Sequence, residues 1–405
     1  MKKLISFVLL ATGLFFISCD KQEPISVVIE RGLQIATQQA VLMAQELENQ
    51  EGKLPKTIKP DGTLETSNYG WWCSGFFPGE LWYLYENNPT PELKEYAELY
   101  TNRVEPAKNL TNTHDLGFML FCSFGNGFRI TQDSHYKDVL ITGAHSLATR
   151  YNPTICAIKS WDSNKNVWQY PVIIDNMMNL ELFTWASKET GNDMFREIAD
   201  SHAMTTIENH FRPDFSSFHV VSYDTITGRA HIRQTHQGFS DESAWARGQA
   251  WGLYGYTMMA RETGNNKYLE QARNIATFLM NHPNLPKDKI PYWDFNAPRI
   301  VFKDNGLSYI DTPRDASAAA IMASALIELS QLDKEEFGKQ CLELAEQQIR
   351  SLSSPQYLAE PGTNQYFTLM HSTGHLPGNS EVDVPLSYAD YYYVEALLRL
   401  KKLIR

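Results

Sequence analysis

The chain has 405 residues, of which 43% are hydrophobic and 20% charged, and 36 Lys and Arg against 47 Asp and Glu give a net charge of −11. This composition supports a sizeable core and excludes disordered, collagen-like and disulfide-scaffold proteins. Since no block of Lys or Arg occurs, the clustered cations that bind nucleic acid or an anionic membrane surface are missing, and we expect no nucleic-acid partner.

The N-terminal residues have the pattern of an export signal. Lys2 and Lys3 precede an apolar run over 4–17 that is too short to span a bilayer as a mature helix. Cys19 follows a small residue at the end of this run, as at a bacterial lipoprotein cleavage site, and ordinary secretory cleavage nearby is the alternative. We therefore predict a lipoprotein signal peptide at 1–18, a lipid anchor at Cys19 as the only membrane link, and a periplasmic or cell-surface location.

A helical repeat runs through the rest of the chain. Each unit pairs a helix that is apolar on most faces with an amphipathic helix, and a polar turn such as Thr190-Gly191-Asn192 joins them. The predicted inner helices cover 73–87, 115–129, 172–189, 242–262, 315–330 and 386–402. The predicted outer helices cover 24–50, 92–110, 134–151, 193–210, 266–281 and 334–352. Six of each predict an all-α (α/α)6 barrel in a single domain over 19–405.

Four long connections interrupt this repeat, and in a ring of helical hairpins they should collect at one end. They cover 152–171, 211–241, 283–313 and 353–385, and the second has the alternating pattern of a short hairpin. Binding groups favour loops that a rigid scaffold holds. We therefore expect the functional site at that rim.

Motifs for phosphate binding, metal binding and a serine nucleophile are absent from the sequence: it has no G-x-x-x-x-G-K-[ST], no H-E-x-x-H and no G-x-S-x-G. The cysteines beyond the signal form no C-x-x-C pair, and three of the four lie in apolar runs where they should be core residues. We predict no metal site.

Two acids stand near the starts of predicted inner helices. Asp115 follows His114, and Asp175 lies between Ile174 and two methionines. Asp115 also fits a helix N-cap, and Asp175 also fits a structural carboxylate that is hydrogen-bonded to the backbone or to Asn179. Burial of Asp175 would raise its pKa, so that it could donate a proton near neutral pH. Three further acids are interpreted as structural, namely Asp390, which has no obvious partner acid, and the helix caps Asp241 and Asp315.

A third cluster lies around the fourth inner helix. Arg247 and Trp251 are four residues apart and so share a helix face. A guanidinium can bind a carboxylate with two hydrogen bonds, and an indole offers a stacking face to a sugar ring. Helix packing is the alternative for both residues, and the 12% aromatic content suits carbohydrate stacking and a barrel core equally.

In this order, four segments resemble glycoside hydrolase family 88, the unsaturated glucuronyl hydrolases: 114–118, 175–180, 235–238 and 245–251. The likeness covers essentially the whole chain after the predicted signal peptide. It implies an (α/α)6 barrel that removes the 4,5-unsaturated uronic acid from the non-reducing end of lyase-generated glycosaminoglycan fragments. It implies no metal or organic cofactor, and nothing in the sequence indicates an obligate protein partner.

The resemblance also implies roles for individual residues. Asp175 would be the proton donor and Asp115 the second essential acid. Substrate contacts would fall on His114, Trp72, Trp161, His219, Thr235, Gln237, Arg247 and Trp251. The implied chemistry is hydration of a vinyl ether: Asp175 protonates C4, water adds at C5, and the resulting hemiketal opens and expels the rest of the sugar chain.

Substrate preference stays open at this stage. The segment 361–385 contains no Lys or Arg, whereas some family members place a cation and serines there to read sulfate, and Ser372, Thr373 and Ser380 could still hydrogen-bond one. Unsulfated chondroitin or hyaluronan, sulfated chondroitin and heparin fragments are all alternatives. Two alternative functions also stay open: the chain could be an unsaturated rhamnogalacturonyl hydrolase that acts on pectin fragments, or a non-catalytic glycan-binding lipoprotein.

Overall fold

A computed structural model describes residues 22–298, 300–302 and 309–404. The predicted signal peptide over 1–18 and the predicted anchor residue Cys19 lie outside these residues. Within them, no helix combines the length and the apolar content needed to cross a membrane.

Within the described ranges, six inner helical segments form a closed ring, each packed on the next, with the last closing on the first. They are α2 (Phe76–Asn87), a π-helix (Gly117–Gly125) continued by α4 (Asn126–Thr131), a 3₁₀ helix (Ile174–Asn179) continued by α6 (Leu180–Thr190), α8 (Ala246–Thr263), α10 (Ala316–Leu332) and α12 (Ser387–Ile404). Their side chains are buried on nearly all faces, as their continuous apolar sequences predict.

Six outer helices pack around this ring. They are α1 (Ile25–Leu47), α3 (Pro91–Val104), α5 (Ser134–Ala148), α7 (Asp193–His210), α9 (Asn266–Asn281) and α11 (Glu336–Leu352). The polar turns mark the boundaries because Gly191 adopts φ 69° after α6, and the Asn192 side chain accepts the Met194 amide to cap α7. The predicted (α/α)6 barrel is confirmed.

In the described residues, eleven short strands lie in the connections between helices. These are β1 (Leu54–Ile58), β2 (Leu64–Ser67), β3 (Tyr151–Asn152), β4 (Ala157–Ile158), β5 (Pro171–Ile173), β6 (Val220–Tyr223), β7 (Ala230–Gln234), β8 (Ile300–Phe302), β9 (Tyr309–Asp311), β10 (Ser372–His375) and β11 (Ser380–Val384). The hairpin predicted within 211–241 is β6–β7, and β5 adds a third antiparallel strand beside β6. The β1–β2 hairpin was not predicted.

The two acids that were predicted to cap helices differ in the structure. Asp315 caps α10, with its side chain accepting the amides of Ser317 and Ala318. Asp241 is not a cap, contrary to the prediction. Its carboxylate accepts the Thr235 amide at 2.8 Å, and α8 begins only at Ala246.

Asp390 is a buried structural acid, as predicted, and it accepts the amides of Thr368 and Leu369, each at 2.8 Å. The expectation that it lacks a partner acid is wrong. Burial and the charge of Asp390 together raise the pKa of Glu80 well above its usual range. The four cysteines in the described residues are free, and three of them are buried, namely Cys73, Cys122 and Cys341.

Candidate active site

The inner helical segments all bring their first turns to one end of the barrel, called the mouth below. Asn179 Oδ1 accepts the Phe118 amide at 3.1 Å, which joins two neighbouring segments there. The Trp72 ring, just before α2, lies 4.8 Å from the ring of Tyr388 in the first turn of α12. Helix N-termini carry partial positive charge, so the mouth favours an anion.

Asp175 lies in the 3₁₀ helix between β5 and α6. Its residue is 8% exposed, and its Oδ2 atom is buried without a hydrogen-bond partner in the described part of the chain. Burial raises its pKa to about 7, and the charge of Asp115 adds to this rise while Arg247 opposes it. The carboxyl group is therefore about half protonated at neutral pH and largely protonated below it, which suits a proton donor.

Asp115 reaches the mouth from the loop before the π-helix. Its carboxylate accepts a hydrogen bond from Thr113 Oγ1 at 2.6 Å and lies 3.2 Å from Nε2 of the buried His114. It accepts no backbone amide of the helix that follows, so the N-cap interpretation of Asp115 is wrong. Its side chain is 15% exposed, which leaves it open to a ligand in the mouth.

His219 stands over Asp175 in a defined tautomer. Its Nδ1 atom accepts the amides of His236 and Gln237 at 3.0 and 3.1 Å. The neutral ring must therefore carry its proton on Nε2, which lies 3.9 Å from Asp175 Oδ2. Burial lowers the pKa of His219 well below its usual range. This residue is a neutral donor aimed at the acid.

Arg247 is buried and already has protein partners. Its Nη1 donates to the Thr373 carbonyl at 2.6 Å, its Nη2 donates to the Gly374 carbonyl at 2.7 Å, and Asp315 lies at 3.3 Å. The guanidinium thus fixes β10 at the mouth, as the packing alternative proposed. It also acts on Asp175 through its charge.

Trp251 is fully buried, with its ring centroid 5.0 Å from Phe118 and 5.4 Å from Tyr392. A sugar ring cannot stack on an indole enclosed in this way, so the stacking role expected for Trp251 is not what the geometry supports. Its buried Nε1–H has no hydrogen-bond partner of normal geometry among the described residues, and it lowers the pKa of Asp175 against the larger effect of burial.

The other predicted contact residues also surround the mouth. Gln237 Nε2 donates to the Gly374 carbonyl at 3.1 Å, which reinforces the attachment of β10. Thr235 is used in a turn, because its hydroxyl accepts the Gly238 amide at 2.8 Å. Two partly exposed tryptophans line the rim: Trp72 packs on Phe118 and Tyr388, and Trp161 packs on Trp168 and His236.

His375 was missed by the sequence analysis. Its Nε2 makes a 2.9 Å hydrogen bond with the His236 carbonyl, and the two rings lie 4.8 Å apart. These residues are 139 positions apart in the chain, so no local motif signals their contact. In the ranges that the structure describes, no group of His, Cys, Asp or Glu is arranged to hold a metal ion.

Replacing Arg247 by Met should destabilise the fold. The change removes a buried charge partner from Asp315, takes the Arg247 donor from the Thr373 carbonyl and leaves the Gly374 carbonyl with Gln237 alone. We therefore expect a loss of about 3–5 kcal/mol in the free energy of unfolding. Chemical denaturation measures it. Arg196→Met, which removes an exposed ion pair with Asp193 on α7, is the control and should unfold as the parent does. Equal denaturation midpoints for both variants would contradict this role for Arg247.

The chain is similar in sequence and structure to several known hydrolases. No family model matches the chain. It is 50% identical over 334 residues to the unsaturated glucuronyl hydrolase of Formosa agariphila, covering 82% of this chain and 80% of that one. It is 32% identical over 337 residues to the unsaturated chondroitin disaccharide hydrolase of Streptococcus pneumoniae, covering 82% of each. A crystal structure of an unsaturated glucuronyl hydrolase specific for heparin superposes with a TM-score of 0.87 at 47% identity, covering 94% of this chain and 98% of that chain.

Proposed function

Because the chain belongs to the unsaturated glucuronyl hydrolases, glycoside hydrolase family 88, we propose that it removes the 4,5-unsaturated uronic acid from the non-reducing end of lyase-generated glycosaminoglycan fragments. The observation that carries the proposal is the buried Asp175 carboxyl. It has a pKa of about 7, lies within the electrostatic reach of Asp115, and is placed at a mouth that favours anions.

The reaction follows from this carboxyl group. Asp175 transfers its proton to C4 of the unsaturated ring, and a water molecule adds through its oxygen to C5. The Asp175 carboxylate then takes up a proton from that water. The C5 hemiketal opens with cleavage of the bond between C5 and the ring oxygen, and the hemiacetal left at C1 releases the next sugar as an alcohol.

The neighbouring residues support these steps in different ways. His219 can donate its Nε2 proton to the Asp175 carboxylate or to the water, since its Nδ1 is occupied by two amides. Burial is the main cause of the raised pKa of Asp175, and the charge of Asp115 adds to it. Arg247 offsets the uronate charge through its field, because both of its terminal nitrogens already donate to β10. This differs from the bidentate contact that the sequence suggested.

Within the glycosaminoglycans, we propose a heparin-type fragment without sulfate on the second sugar. The structurally similar hydrolase is specific for heparin. Two hydroxyls that could have read sulfate are buried and occupied: Ser372 Oγ accepts the Ser317 amide at 3.1 Å, and Thr373 Oγ1 donates to the Arg314 carbonyl at 3.0 Å. The third candidate hydroxyl, Ser380 on β11, is exposed, so the hairpin β10–β11 offers a sulfate one free-standing hydroxyl and no Lys or Arg.

An absorbance assay tests both the proposed activity and the proposed preference for an unsulfated substrate. The purified protein should remove the ultraviolet absorbance of the conjugated double bond of an unsulfated, heparin-type unsaturated disaccharide. The value of kcat/KM for this substrate should exceed that for its sulfated counterpart about tenfold or more. Faster turnover of the sulfated substrate would contradict the specificity, and no turnover of any unsaturated disaccharide would contradict the activity itself.

Two alternatives are separated by the same assay. An unsaturated rhamnogalacturonyl hydrolase would favour pectin fragments, and a glycan-binding lipoprotein would bind long chains without turnover. The buried Asp175 argues against a binding protein, since a binding surface gains nothing from a sequestered acid. We also propose, from the N-terminal sequence, that the enzyme is exported and anchored through Cys19.

A further inference from the structure

Trp71 presents an exposed indole beside the mouth. The residue is 43% exposed, although the neighbouring Trp72 packs into the ring of inner helices. Its backbone is held in consecutive turns, with its amide donating to the Asn68 carbonyl at 3.0 Å and its carbonyl accepting the Ser74 amide at 2.9 Å. A large apolar ring held out toward solvent at the edge of a site is a candidate contact for a ligand.

One face of this indole is covered by a fixed cation. Lys56 Nζ, on β1, lies 4.8 Å from the centre of the Trp71 ring. Two carboxylates hold that ammonium in place, Glu65 on β2 at 2.7 Å and Glu381 on β11 at 3.2 Å. The Lys56 side chain is only 14% exposed. The cation therefore fixes the orientation of the indole while its remaining surface stays open.

The same contacts connect Trp71 with the residues around Asp175. Glu381 lies against β10 so closely that a Cβ on Gly374 would come within 2.2 Å of Glu381 Oε2. The Gly374 carbonyl is in turn bound by Arg247 and Gln237. Trp71 thus borders the mouth on the side of the β10–β11 hairpin.

We propose that Trp71 is the stacking platform for the sugar next to the unsaturated uronic acid, and that Lys56 is the positioning residue of that platform. This inference rests on the proposed function. The apolar C–H face of a pyranose ring matches an indole face. Lys56, Glu65 and Glu381 together carry a net charge of −1, so the platform offers contact to a neutral ring and no attraction to an added sulfate.

Two substrates isolate this contact. One is the unsaturated disaccharide, and the other is the methyl glycoside of the same unsaturated uronic acid, which lacks the second sugar. Trp71→Ala should raise KM for the disaccharide about five- to tenfold and leave kcat and the kinetics of the methyl glycoside unchanged. Trp71→Tyr should retain most of the affinity. Lys56→Met should give a smaller rise in KM, again for the disaccharide alone.

Leu99→Ala, an exposed apolar residue on α3, is the matched control and should change neither substrate. An equal rise in KM for both substrates in Trp71→Ala, or no rise for either, would overturn the platform. Should Trp71→Ala fail to fold, Lys56→Met decides: a rise in KM for the disaccharide alone supports the platform, and an equal change for both substrates or no change for either overturns it. If the unmodified enzyme turns over neither substrate, the proposed function fails and not the placement of Trp71.

Discussion

Asp175→Asn is expected to reduce turnover of an unsaturated disaccharide by about 10³- to 10⁴-fold, because the amide cannot transfer a proton to C4. The variant should fold normally, since in the part of the chain that the structure describes the Asp175 Oδ2 atom has no hydrogen-bond partner that the substitution would break. Removing a buried ionisable group can even stabilise the chain. Steady-state absorbance kinetics, together with a thermal unfolding curve, measure both properties.

Asp390→Asn provides the matched control. Asp390 is as buried as Asp175, and burial likewise raises its pKa to about 7, but both of its carboxylate oxygens accept backbone amides, those of Thr368 and Leu369. Its amide variant should lose stability and keep its turnover per folded molecule. Unchanged turnover in Asp175→Asn would remove that residue from the mechanism, whatever the behaviour of Asp390.

The activity should fall as pH rises through about 7. Burial raises the pKa of Asp175 to about 7 from a usual value near 4, so the acid form that donates the proton is present below this pH and is lost above it. We expect kcat/KM, which reports the free enzyme, to drop about tenfold per pH unit on the alkaline side, or about a hundredfold by pH 9.

Asp115→Asn tests how far the charge of Asp115 contributes to the pH at which activity falls. The charge of Asp115 raises the pKa of Asp175, so its removal should move the limb of the residual activity to lower pH. Asp383→Asn, which removes an exposed partner of His371, should leave the limb in place. A profile that increases through pH 7 would show that the ionised form of Asp175 is the active one.

Most of the fold could be predicted because its signals are local. The Thr-Gly-Asn turns combine a glycine that ends one helix with an asparagine that caps the next, and the predicted ranges 193–210 and 266–281 match α7 and α9. The start of α8 was predicted four residues early. Trp245 pairs with Asp294 in a β-bridge, a contact between distant segments that no helical periodicity records.

The candidate site was predictable to the same extent. Asp115 and Asp175 stand beside apolar helix starts, so their placement at the inner helices, and the burial of Asp175, followed from their neighbours. The partners of Arg247 could not be inferred, because Thr373 lies 126 residues away in a segment without a recognisable motif. The burial of the Trp251 ring could not be inferred for the same reason, because Phe118 and Tyr392, which pack against it, lie on other inner segments.

The parallel first turns of the inner helices have a consequence for how substrate is captured. Their partial charges act only within about a turn, and beyond the Debye length of about 8 Å in physiological salt they are screened. Elsewhere on the surface, an incoming polyanion that comes within a Debye length meets the field of a chain with net charge −11. Long, densely charged chains are thus repelled before encounter, while a short fragment with one or two charges can diffuse to the opening and feel its attraction.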